Sequence, residues 1–277
     1  MEIIKFIMPI IMILTSCSTA GSGIPYTYGV FLGLDGKDIS AAEEYRTVVI
    51  DAQYFSADDI AELKQNGHMV LSYINLGALE NFRPYYKEYE SCTLDVYENW
   101  EEEKWVDVAA PRWKDFMSEL SVKLLDKGCD GLFVDNADVY YHYHTDSVFD
   151  GITDILRSFK KAGAYVSVNG GDVYVSEYAD RYGCLDVIDA VNQETVFSEI
   201  DFDSGTFSSN SAKEREYFTE YINRVSSFGK DVFLLEYTTD KKLIAEIDSF
   251  CREKGYTYYC SQTLELLRPS PYGSQKV

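Results

Sequence analysis

The reactive groups of this chain are mostly carboxylates, and several follow directly on short apolar runs. Asp51 closes Thr47-Val-Val-Ile50, and Asp135 closes Gly131-Leu-Phe-Val134 with Asn136 and Asp138 just beyond, while Glu194 ends the more polar Asn192-Gln193-Glu194. Glu236 follows Val232-Phe-Leu-Leu235 and precedes Tyr237. Other runs end on polar groups without a charge, at Tyr73-Ile-Asn75, at Asn169-Gly-Gly before Asp172, and at Ser261-Gln262. A hydrogen-bonded strand end or a helix cap accounts for any one of these residues alone. Gathered at one edge, so many carboxylates repel unless a ligand or a reaction offsets them. Two carboxyl groups flanking an acetal are the machinery of most glycosidases, one protonating the leaving oxygen and the other acting as nucleophile or base.

Other chemistries find little support. The three His are His68, His142 and His144, and Tyr141-His-Tyr-His144 lacks a clear third ligand, so no metal or other cofactor is expected. Five Cys follow Cys17, an odd number without a CxxC pair, which indicates neither zinc nor a disulfide framework. Cys129, Cys251 and Cys260 sit in apolar segments and read as core, leaving Cys92 as the candidate for exposure. No serine stands in a nucleophile elbow. A formal charge of −21 excludes the basic face that nucleic acid requires and favours a cationic ligand. Aromatic residues reach 15%, with 23 Tyr, a composition that leans toward carbohydrate.

The elements that must position these groups follow one recurring order: an apolar run, a polar loop, an amphipathic helical pattern and a Gly. Eight strands are expected, at 29–33, 47–52, 69–75, 131–136, 165–169, 187–192, 231–237 and 257–261. Helical patterns between them carry caps and stops, such as Ser56 ahead of Ile60 and Leu63, and Asp146 ahead of Phe149, Ile152, Leu156 and Phe159 before Gly163. Eight strands alternating with helices point to an α/β fold, a single closed (β/α)8 TIM barrel, in which active sites sit at the C-terminal ends of the strands. A doubly wound open sheet is the other architecture this alternation allows, but no GxGxxG follows the first strand. The stretch 77–110, holding Glu80, Arg83, Trp100 and Trp105, reads as one long functional loop.

The N-terminus reads differently. Lys5, the apolar stretch Phe6–Leu14 and Leu14-Thr-Ser-Cys17 describe a secretory signal whose ending resembles the bacterial lipobox. The expected organisation is a signal peptide over 1–16, a tether over 17–27 lipidated at Cys17, and the barrel over 28–277. The mature protein is then an extracellular, cell-surface lipoprotein held to the membrane by its lipid alone.

Four segments resemble glycoside hydrolase family 114, the endo-α-1,4-polygalactosaminidases, whose members are often mislabelled cysteinyl-tRNA-synthetase-like. They are Val49-Ile-Asp51-Ala, Tyr73-Ile-Asn-Leu-Gly77, Gly128-Cys-Asp-Gly-Leu-Phe-Val-Asp135-Asn136 and Asn192-Gln-Glu194. The resemblance spans roughly 28–262 and implies a (β/α)8 barrel that cleaves its polymer with retention. It places the catalytic pair on Asp135, as nucleophile, and Glu194, as acid/base, with Glu236 as a rival for the second role. Asp51, Tyr73, Asn75, Asn136, Asp138, Asn169, Gln193, Glu236 and Tyr237 are the expected substrate-binding residues. The implied substrate is a polysaccharide of α-1,4-linked galactosamine, a cationic amino-sugar polymer. A surface glycan-binding lipoprotein on a decayed barrel and a glycosidase of different substrate remain open on the residues alone.

Overall fold

The computed structural model describes residues 24–97, 100 and 102–275. The signal sequence and Cys17 lie outside them. Eight parallel strands form one sheet in sequence order: β1 (Tyr26–Phe31), β2 (Tyr45–Ile50), β3 (Met69–Asn75), β4 (Gly131–Asp135), β5 (Tyr165–Asn169), β6 (Ala190–Glu194), β7 (Asp231–Tyr237) and β8 (Thr257–Ser261). This is a TIM-barrel α/β fold. The strands are buried on both faces, which is why Val48, Val49 and Ile50 run together without alternation. Among the described residues, six helices of more than eight residues pack around the sheet: α1 (Ala57–Gln65), α2 (Pro111–Asp126), α3 (Asp146–Lys161), α4 (Asp172–Tyr182), α5 (Ala212–Ser227) and α6 (Lys241–Lys254). Ser56 and Asp59 form a capping box on α1. In α3 the expected stripe of Phe149, Ile152, Leu156 and Phe159 is buried. Among the described residues no helix is long and apolar enough to cross a membrane.

The structure corrects the sequence reading in several places. The first strand begins at Tyr26, inside the expected tether. The sixth begins at Ala190 rather than 187, because Leu185–Ile188 is a turn and Asp189 spends its carboxylate on the Val166 N–H and on Lys160. The stretch 77–110 is not one loop. It folds into an antiparallel sheet of Ala78–Glu80, Thr93–Val96 and Glu103–Val106 that stands over the barrel mouth. Cys92 is buried at the edge of that sheet, and Cys184 is instead the partly exposed thiol. A further hairpin, Ser198–Asp201 with Thr206–Ser209, follows β6.

The barrel seam also differs from a simple closed sheet. Among the described residues no ladder joins β1 to β8. Residues 270–275 run antiparallel between them: Thr27 N–H donates to Ser274 O, Ser274 N–H to Tyr258 O, and Cys260 N–H to Tyr272 O. The Tyr45 hydroxyl anchors this segment by donating to Ser270 O at 2.6 Å.

Candidate active site

The C-terminal ends of the strands open into a cavity of about 960 Å³, roofed on one side by the inserted sheet and on another by the 198–209 hairpin. That volume is at the upper end of the range for ligand pockets. At its floor, the amide of Asn169 on β5 joins the two neighbouring strand ends. Its Nδ2 donates to Asp135 Oδ1 at 2.9 Å and to Glu194 Oε1 at 2.8 Å. Each carboxyl has a second donor of its own, the Tyr73 hydroxyl on Asp135 Oδ2 at 3.2 Å and the Tyr237 hydroxyl on Glu194 Oε2 at 2.9 Å. One nitrogen within 2.9 and 2.8 Å of both oxygens caps their separation at about 5.7 Å. Two linear N–H bonds spread at the amide angle bring it to about 5 Å.

The chain is strained just after both carboxyls. Asn136 and Thr195, which immediately follow Asp135 and Glu194, hold φ of 62° and 52°. A non-Gly residue in the left-handed region costs of order 1–3 kcal/mol, most for a β-branched one, and such strain gathers where function over-determines the backbone. At Asn136 the bend also requires Gly77, because a Cβ there would come within 1.9 Å of the Asn136 carbonyl oxygen.

Burial orders the pair. It pushes Asp135 above its ordinary value, against the Asn169 amide, the Asn136 N–H and the Tyr73 hydroxyl, which favour the anion. Glu194 is pushed up to about 7, by burial first and then by the negative charge of Asp135. Asp135 therefore ionises first, and its charge holds the Glu194 proton.

Asp51, Asn136, Asp138 and Gln193 also line the cavity. Asp51 is buried against Arg83, whose guanidinium donates to it at 2.6 Å and to Glu80 at 2.8 Å. Asp138 accepts from the Gly171 N–H and is pushed up to about 7 by burial and by Asp172. Asn75 lies behind the wall: its Oδ1 accepts from Ala78 N–H and Asn136 Nδ2, and its Nδ2 donates to Glu103 at 3.2 Å. Glu236 is wholly buried and turned away. It accepts from the N–H groups of Phe197 and Ser198 and from the Ser198 hydroxyl, and so pins the base of the hairpin. Successive strand side chains point to opposite faces, so with Tyr237 on the cavity Glu236 must leave it.

Of what the insertions bring, the sequence singled out Trp100 but not Glu103, Tyr97, Glu199 or Phe202. Glu103 reaches the cavity from the inserted sheet and is pushed up to about 8 by burial and by Glu80 and Asp135. Tyr97 and Trp100 come from the same insertion, and Glu199 and Phe202 from the hairpin. Trp100 and Phe202 meet edge to face at 6.3 Å across the mouth. Among the described residues, eleven carboxyl groups and one guanidinium line the cavity, and that guanidinium is already paired. Among the described residues no group of His, Cys, Asp and Glu is arranged to hold a metal ion. His142 packs at a tilt against Trp105, and His144 lies 3.3 Å from Glu177.

A (β/α)8 barrel with a closely spaced carboxyl pair at its C-terminal rim has the construction of a glycoside hydrolase. The profile of the glycoside-hydrolase family GH114 matches residues 19–267, and the chain belongs to that family. No curated protein is similar to it in sequence. Among solved structures, the glycoside hydrolase domain of PelA from Pseudomonas aeruginosa superposes with a TM-score of 0.74 at 17% identity, over 88% of this chain and 96% of that one. Ega3 of Aspergillus fumigatus, in complex with galactosamine, gives 0.70 at 15% identity over 92% and 96%. An α-galactosidase from Thermus thermophilus gives 0.58 at 13% over 89% and 60%. At these identities the likeness is one of fold.

Proposed function

We propose that this glycoside hydrolase is an endo-acting, retaining α-1,4-galactosaminidase, with Asp135 as nucleophile and Glu194 as acid/base. The observation that carries the mechanism is the Asn169 amide shared between the two carboxyls. It holds them near the spacing of about 5–5.5 Å used for direct attack, and too close for the intervening water of an inverting enzyme. Asp135 is the better anion and Glu194 the better acid, in keeping with the order in which they ionise. A cavity whose charged groups are acids apart from the paired Arg83 suits a polymer carrying ammonium groups, and galactosamine is the sugar bound to Ega3. The test is to incubate the mature protein with α-1,4-galactosamine polymers of graded acetylation and follow product sizes. Deacetylated polymer is expected to shorten rapidly through intermediate lengths. Release of single sugars alone would overturn the endo assignment, and no cleavage the substrate.

The pair also sets a pH dependence. Turnover is expected to fall as pH rises through about 7, because Glu194 then loses the proton it must deliver. A pH–rate profile checks this, and the alkaline limb of glycosylation should flatten on a substrate whose leaving group needs no protonation.

The same reading makes the protein an exported lipoprotein anchored through Cys17. A Cys17→Ala variant should lose metabolic lipid labelling and leave the membrane fraction, whereas unchanged retention would refute the anchor.

A further inference from the structure

Tyr28 on β1 and Asn192 on β6 lie wholly inside the barrel, and neither contributes to the cavity wall. A line of hydrogen bonds nevertheless runs from them to the carboxyl pair. The Tyr28 hydroxyl donates to Asn192 Oδ1 at 2.8 Å, and Asn192 Nδ2 donates to Asn169 Oδ1 at 2.6 Å. Asn169 then gives both hydrogens of its Nδ2 to Asp135 and Glu194. Barrel interiors are ordinarily filled by Val, Ile and Leu, so three polar side chains from three strands, aligned in one direction, call for a reason.

The two ends of an amide have the same shape and opposite polarity. Turned over, Asn169 would aim its carbonyl oxygen at two carboxyls, losing two bonds and adding repulsion. Turned over, Asn192 would aim its oxygen at that of Asn169 and leave the Tyr28 proton without its acceptor. Both ends of the line therefore demand the same orientation. The Tyr28 ring stacks on Phe233 at 4.6 Å, which keeps the hydroxyl aimed. Burial, reinforced by the Glu194 charge, keeps that phenol protonated. Donors in series polarise one another by roughly 10–30% per bond in a medium of low dielectric.

We infer that Tyr28 and Asn192 are positioning residues: they set which edge of the Asn169 amide faces Asp135 and Glu194, and how strongly it donates to them. The bearing of this on turnover rests on the catalytic pair proposed above, but the orientation itself is independent of the substrate. Carbon-13 NMR titration of the side-chain carboxyls in the unliganded protein separates the two, with signals assigned through Asp135→Asn and Glu194→Gln. Tyr28→Phe removes one oxygen and keeps the ring stack, while Asn192→Leu fills nearly the same volume without polarity. Each is expected to raise the apparent pKa values of the pair by about half a unit or more, roughly threefold in proton affinity, with the larger shift in Asn192→Leu. On a cleaved substrate kcat should fall about tenfold while KM stays within about twofold, the size expected for a weakened bond to a charged group. Carboxyl titrations at wild-type positions in both folded variants, with only the melting temperature lowered, would reduce the two residues to core filling. If wild-type protein cleaves no amino-sugar polymer but the titrations move, the substrate assignment fails and this inference stands.

Discussion

A Glu194→Ala enzyme should form its glycosyl intermediate on a substrate with a leaving group that needs no protonation, and stall there. No base then remains to activate water at the anomeric carbon. Azide needs no base, so adding it should restore turnover and yield a glycosyl azide of retained configuration. Asp135→Ala loses the nucleophile itself. Azide can enter only from the face the carboxylate vacated, and any product should be inverted. Without azide, loss of the acid/base alone should cost about 10²–10⁴-fold, and loss of the nucleophile at least as much. Both variants should stay folded, because Asn169, Tyr73 and Tyr237 line the cavity, where a water entering in place of the carboxyl can take up their hydrogen bonds. Product stereochemistry read by NMR decides the roles, and exchanged patterns would show the assignment to be backwards.

Glu236 should behave in the opposite way. Its carboxylate takes hydrogen bonds from two backbone N–H groups and a hydroxyl, all buried. Glu236→Ala leaves those donors with nothing to bond. Bonds to a charged group are worth about 1.5–3 kcal/mol each, and the burial that pushes this carboxyl up to about 7 offsets part of their sum, so a loss of roughly 3–5 kcal/mol in unfolding free energy is expected. Azide should restore nothing, because no reacting atom is near. Urea melts and azide titrations on one preparation measure both effects. A variant of wild-type stability rescued by azide would return Glu236 to the catalytic role its sequence position suggested.

That contrast shows what a sequence can carry. The limits of β3, β5, β7 and β8 coincide with the expected runs, because strands buried on both faces are continuously apolar and end where polarity begins. The same rule finds Asp135 and Glu194, each the last residue of its strand. It does not say which way a terminal residue faces. Glu236 and Tyr237 are adjacent, only one can enter the cavity, and nothing local chooses between them. Glu103 and Phe202 were hidden for another reason. They arrive from antiparallel insertions whose register depends on the barrel beneath, so no spacing along the chain brings them next to Asp135. Tyr28 falls just ahead of the expected first strand and Asn192 at the end of the sixth, and neither stands out until hydroxyl and amide are seen in line.

The seam filled by residues 270–275 bears on how the chain comes to fold. A ribosome has made every barrel strand before it makes the piece that seals them. Until then β1 and β8 each present a bare edge, the surface on which chains stick to one another. Closure joins residues 247 positions apart, a contact of high order and slow formation. A nascent or truncated chain lacking this short segment would hold a nearly complete but open barrel.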